Sequence, residues 1–136
     1  KMTDAYNELK RVVDQPPANL MFPGILDRNE MNDYYNVADL FLLPSFNELF
    51  PMSILEAFSV GLPVMVRDLD LYHSIINGYY LGTKDVDEMD EQLTLLQHDQ
   101  AKLSQLKDQA RAGAEYYSEE RLAKIWLDYY TRLVKD

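Results

Sequence analysis

Up to about Gly82, short apolar runs alternate with stretches of helical spacing; beyond it, every apolar stripe is helical. Tyr6, Leu9 and Val13 recur at helical intervals, which predicts a helix over 4–13 ended by Pro16-Pro17. The run Asn19-Leu20-Met21-Phe22, closed by Pro23 and Gly24, predicts a short buried strand. Residues 29–38 predict a short helix. Asp39-Leu40-Phe41-Leu42-Leu43-Pro44 is the clearest strand, continuously apolar as a parallel strand covered on both faces should be. A helix over 51–60 is stopped by Gly61 and Pro63, and a strand follows over 63–67. A helix over 71–77 stopped by Gly78 and a last strand over 79–82 complete this part.

The tail reads as three helices. Asp85 and Glu88 have the spacing of a capping box, with Val86, Met89, Leu93 and Leu96 on one face. Asp99 is expected to cap the next helix, with Leu103, Leu106, Ala110 and Tyr117 inward. Ser118 caps the last, and Glu119 and Glu120 suit the positive end of its dipole. Its stripe of Leu122, Ile125, Trp126, Tyr129 and Leu133 reads as core packing. Strands alternating with helices at this spacing imply a parallel α/β sheet. The expected organisation is one domain over 1–136, with an α/β part to about residue 83 and a helical tail from 84.

Composition narrows the chemistry. The 136 residues are 47% hydrophobic, enough for a core, so a disordered acidic tail is excluded. There is no cysteine, which excludes disulfides, thiolate metal sites and a thiol nucleophile. With 13 basic and 23 acidic residues the net charge is −10, unsuited to binding nucleic acid. No apolar stretch is long enough to span a bilayer, and no apolar segment follows Lys1-Met2-Thr3-Asp4 as a signal peptide would require. A cytoplasmic protein is expected.

In open parallel sheets, ligands bind beyond the carboxyl ends of the strands. The turn Ser45-Phe46-Asn47-Glu48-Leu49-Phe50-Pro51 leaves one strand there and enters a helix. Pro51 fits the first helical position, and the amides of Met52 and Ser53 would be free to meet an anion such as phosphate. Glu48 lies in the turn; Glu56 lies on the helix, three residues after Ser53 and on its face. Leu55, Phe58 and Leu62 would face the core. A phosphate at the helix start with hydroxyls on either side, as in a nucleotide diphosphate sugar, suits this layout. On spacing alone, an ordinary loop glutamate and a solvated helix glutamate remain the commoner reading.

The stretch Asp39-Leu40-Phe41-Leu42-Leu43-Pro44-Ser45, then Glu48, then Ile54-Leu55-Glu56-Ala57-Phe58, then Gly61-Leu62-Pro63-Val64 resembles the retaining family 4 glycosyltransferases of GT-B fold. Seven residues separate Glu48 from Glu56, as in that family's paired-glutamate motif. Phe22-Pro23-Gly24 and Tyr35 ahead of Ala38-Asp39 match as well. The resemblance implies the Rossmann-like C-terminal domain, truncated on its N-terminal side. It implies that Glu48 contacts the hydroxyls of the transferred sugar and acts in catalysis. Glu56 would hold the ribose hydroxyls, and the amides at Phe50, Met52 and Ser53 would lie around the sugar and diphosphate. The donor would be a UDP-hexose, with no metal or other cofactor. Pro51 replaces a glycine common in the family and removes one N–H donor.

The family's diphosphate-binding Arg and Lys lie upstream, whereas here Arg28 is the sole basic residue between Arg11 and Arg67. The acceptor site would belong to an N-terminal domain outside this sequence, and the resemblance implies that the last helix crosses back to that domain, which would leave part of the Trp126 stripe exposed here. The longer protein is expected at the inner membrane face, acting on a glycolipid or surface polysaccharide. In the family's strand order the 39–44 strand would expose an apolar edge in this piece, predicting self-association or repacking of 1–38. Two other readings are a nucleotide-sugar epimerase and a non-catalytic binding or chaperone subunit keeping a donor half-site.

Other candidates are weaker. Asp68-Leu69-Asp70 reads as a turn capping the next helix rather than a metal triplet. The acidic run from Asp85 to Glu91 lacks calcium-loop spacing, and His73 and His98 lack ligand partners. His73 follows a strand, which leaves a place in the cleft open. The pairs Tyr79-Tyr80, Tyr116-Tyr117 and Tyr129-Tyr130 should each put one ring inward.

Overall fold

The computed structural model describes residues 2–134, with side chains from Tyr6. They form an α/β arrangement in two compact units, one reaching to Asn32 and the other running from Asp33. The first unit contains α1, Met2–Asp14, and the start of α2, Arg28–Val37. Asp27 opens α2 with a reciprocal cap: its carboxylate accepts the amides of Asn29 and Glu30, and its own amide donates to Glu30 at 2.8 Å. The strand expected over 19–23 is not present. The segment is irregular, and Met21 is 78% exposed. Leu20 closes a turn onto the Pro17 carbonyl, and Pro23 lacks an N–H, so the run is poorly equipped for a ladder.

The second unit holds the sheet. β1, Phe41–Leu43, β2, Val64–Arg67, and β3, Leu81–Thr83, are parallel and lie in sequence order. Phe41 pairs with Val64, and Met65 with Leu81. The central strand carries Val64, Met65 and Val66, all buried, because both of its faces are covered. Between the strands run α3, Met52–Ser59, and α4, Asp70–Ile75. The tail is α5, Val86–Leu96, α6, Gln100–Tyr116, and α7, Glu119–Leu133.

α3 ends as its sequence requires. Gly61 takes a φ of +70°, its amide donates to Phe58, and the Leu62 amide reaches back to Ala57 at 3.0 Å. Ile54, Ala57 and Phe58 are buried, as is Leu62, while Leu55 is only partly covered. α6 crosses α3 at Gly113, where an added Cβ would stand 2.9 Å from the Phe58 ring. The caps Asp85, Asp99 and Ser118 each accept the amide three residues on. Glu88 completes the first by accepting the Lys84 amide rather than that of Asp85.

Two inward faces fail. Val86 is exposed, and none of the described residues of α7 is buried. Trp126, 56% exposed, lies among surface rings: it stacks on Tyr130 at 5.8 Å and meets Tyr129 edge-on. The stripe on α7 is therefore a surface. Of the tyrosine pairs, only Tyr116-Tyr117 splits as expected; Tyr79 and Tyr80 are both half-buried, Tyr129 and Tyr130 both exposed.

Candidate functional site

The β1–α3 turn is fixed at both ends. Arg67, the last residue of β2, donates from Nε to the Pro44 carbonyl at 3.3 Å and from a terminal nitrogen to the Lys84 carbonyl at 3.2 Å. One guanidinium thus joins segments following β1 and β3. It also lies 4.0 Å from the centre of the Phe46 ring, a cation–π contact at the start of the turn. At the other end, the Phe50 ring meets Tyr117 edge-on at 6.1 Å. Tyr117 closes α6, and its hydroxyl donates to the Ile75 carbonyl. The helical tail therefore braces the turn as the sheet does.

Pro51 is the N-cap of α3, not its first helical residue, with φ −75° and ψ 100°. Its carbonyl accepts the Ile54 amide, which starts the helix one residue later than the spacing suggests. Proline has no side-chain oxygen to cap with, so the amides of Met52 and Ser53 gain no side-chain acceptor from it. These amides form the helix end expected to face an anion. Ser53 is partly exposed and Glu56 is exposed, in keeping with a shared outward face.

The structure gives the two glutamates different settings. Glu56 Oε2 accepts a hydrogen bond from the Tyr35 hydroxyl at 3.0 Å. Tyr35 comes from α2, is 8% exposed and packs its ring on Phe41 of β1 at 5.9 Å. Burial first, then the bond and charge of Glu56, push its hydroxyl up to about 12, so it remains a donor at neutral pH. Glu48 is half-buried in the turn, and no side-chain hydrogen bond holds it among those described. Its charge reaches Tyr72 of α4, whose hydroxyl is raised by burial first and by Glu48 second. Tyr72 is fully buried, and its hydroxyl has no hydrogen-bond partner among the described residues.

Beside Tyr72 lies a polar cluster. The Tyr80 ring stands 5.7 Å from that of Tyr72, and its hydroxyl donates to Asp68 Oδ1 at 2.7 Å. Burial, then this bond, push the Tyr80 hydroxyl up. His73 Nε2 meets the same oxygen at 2.9 Å. Asp68 is thus engaged with Tyr80 and His73 and does not cap α4, whose N-cap is Leu69 without a side-chain bond. Among the described residues, no group of three or more His, Asp or Glu is placed to hold a metal ion.

Glu48, Phe50, Met52, Ser53 and Glu56 therefore occupy one continuous turn and helix start at the carboxyl edge of the sheet. Three contributors were not read from spacing: Arg67 as the tie between strand ends, Tyr35 as the partner of Glu56, and the buried Tyr72.

A parallel α/β sheet with a glutamate-bearing turn and helix at its carboxyl edge defines a Rossmann-like domain, here followed by a helical region. Residues 10–113 match the family of glycosyl transferases group 1, and the chain belongs to it. It is 50% identical over 131 residues to an alpha-galactosylglucosyldiacylglycerol synthase of Streptococcus pneumoniae, covering 96% of this chain and 35% of that protein. Identity is 29% over 113 residues to an N,N'-diacetylbacillosaminyl-diphospho-undecaprenol alpha-1,3-N-acetylgalactosaminyltransferase of Campylobacter jejuni, covering 80% of this chain and 30% of that one. A sulfoquinovosyl transferase of Arabidopsis thaliana is 28% identical over 136 residues, covering 88% and 26%. The chain thus spans about a third or less of the length of these relatives. No helix among the described residues is long and apolar enough to cross a membrane.

Proposed function

We propose that this chain forms the donor-binding part of a retaining glycosyltransferase that moves a hexose from a UDP-hexose to a lipid-linked acceptor. The carrying observation is the braced turn that puts Glu48, the open α3 amides and Glu56 in series at the carboxyl edge of the sheet. In this reading the amides of Phe50, Met52 and Ser53 meet the diphosphate and the sugar. The negative charge that grows as the diphosphate leaves is stabilised by oriented N–H groups, which need no reorganisation. Glu56 accepts the ribose hydroxyls. Glu48 accepts hydroxyls of the transferred sugar and fixes its orientation, so this part of the protein works by positioning and charge stabilisation. No metal ion is assigned a role.

The acceptor class is supported by the pneumococcal relative, whose name describes a glycosylated diacylglycerol product. Acceptor binding and the cations that offset the diphosphate are assigned to the remainder of the longer protein, at the inner membrane face. The test uses the full-length protein with UDP-glucose or UDP-galactose and vesicles containing glucosyldiacylglycerol. Transfer that leaves the new bond with the anomeric configuration of the donor is the expected result. No binding of UDP, or a product of inverted configuration, would overturn the reading.

A further inference from the structure

We propose that Tyr35 is a positioning residue for Glu56: its hydroxyl holds Oε2 and leaves the other carboxylate oxygen for the ribose. The inference rests on the ribose role given to Glu56 above. Its starting point is a mismatch between the two residues. Glu56 lies on the exposed face of α3, where a long flexible side chain would sample several rotamers. Tyr35 is buried, and its ring is fixed against Phe41 in the first strand of the sheet. The 3.0 Å bond couples the mobile group to the rigid one. A phenylalanine would fill the same space, so packing accounts for the ring and not for the hydroxyl.

The donor is suited to the task. Tyrosine has one O–H, which the bond to Glu56 occupies, and a carboxylate has acceptor capacity to spare. Burial and the neighbouring carboxylate keep the hydroxyl protonated across the neutral range, so the buttress does not switch with pH there. A carboxylate held in one rotamer needs less ordering when a ligand arrives, and reduced ordering cost appears as affinity.

The experiment measures binding of UDP and of 2′,3′-dideoxy-UDP to the full-length protein by calorimetry. Tyr35→Phe retains the ring and its contact with Phe41. It should weaken UDP by roughly three- to tenfold, with the melting temperature nearly unchanged, the scale of losing one modest interaction. The penalty should vanish for dideoxy-UDP, and it should vanish in a Glu56→Ala background. If Tyr35→Phe binds UDP as wild type does while Glu56→Ala binds weakly, the inference falls and the ribose role stands. An equal penalty for both nucleotides would mean Tyr35 acts through the fold, which also overturns it. If Glu56→Ala itself binds UDP normally, the ribose reading fails, and this inference fails with it.

Discussion

Glu48 and Glu56 are the same residue type, a few residues apart, at the same edge of one sheet, yet they are held in different ways. Glu56 sits on a helix and is gripped by a buried tyrosine. Glu48 sits on a turn that is pinned towards its ends, by Phe46 under Arg67 and by Phe50 against Tyr117. Its own carboxylate carries no described hydrogen bond, and its charge reaches Tyr72, a buried hydroxyl without a hydrogen-bond partner among the described residues. The contrast teaches that a motif defined by spacing can contain one preorganised member and one adaptable member. Preorganisation favours tight binding of one fixed shape, and adaptability suits a part of the ligand that differs between enzymes.

The largest effect should come from removing what both glutamates share. Phe58 is 1% exposed on the inner face of α3 and packs where Gly113 of α6 crosses. Phe58→Ala should cost about 3–5 kcal/mol of stability, read by denaturant unfolding, and should abolish both functions together. Glu56→Gln should then separate them. Losing a charge-assisted hydrogen bond is worth about 1.5–3 kcal/mol, so UDP affinity should fall roughly ten- to a hundredfold. Glu48→Gln should lower turnover by a similar factor while leaving the affinity for UDP within about twofold. Equal losses of UDP affinity in both variants would erase the distinction between the two settings.

A pH series sharpens the same contrast. The Tyr35 hydroxyl is raised from 10.0 to about 12 in the folded protein. The folded state therefore holds this proton more tightly than the unfolded chain, and stability falls as pH rises between those values. Measured against Tyr35→Phe, which has no proton to lose there, wild type should be level below about pH 10 and lose relative stability towards pH 12. The smallest effect belongs to the Glu48 side. Tyr72→Phe removes a buried hydroxyl that has no described partner, so the melting temperature should hold or rise slightly. A clear fall in stability would show that this hydroxyl is bonded after all.

The elements that bury their apolar residues were the legible ones. Val64 to Val66 read as a strand, and all three are buried. The run over 39–44 read as the strand covered on both faces, but among the described residues it pairs on one side only, and Leu42 is 39% exposed. Gly61 and the caps Asp85, Asp99 and Ser118 were readable because each does its work locally, within three or four residues. The run over 19–23 was misread because an apolar run shows that burial would be favourable, not that a partner strand is at hand. The core-packing reading of α7 failed for a related reason, since helical periodicity defines a face and is silent on what covers it; the partial exposure implied by the family resemblance is what the stripe shows. At the candidate site, the places of the turn and of both glutamates followed from the sequence. The Tyr35–Glu56 bond did not, because it spans 21 positions and depends on how α2 packs. Arg67 is similar: its acceptors are backbone carbonyls 23 and 17 residues away, to which side-chain spacing gives no clue.

The exposed rings of α7 determine what light will report about this chain. Trp126 is its only tryptophan, so all indole emission arises from that helix and none from the sheet. An indole 56% exposed and stacked on Tyr130 is already largely in water. Thermal unfolding followed by emission wavelength should therefore look nearly flat while circular dichroism records the loss of helix. Iodide should quench the native signal readily, and any surface that comes to lie over α7 should shift the emission to shorter wavelength and protect it from the quencher.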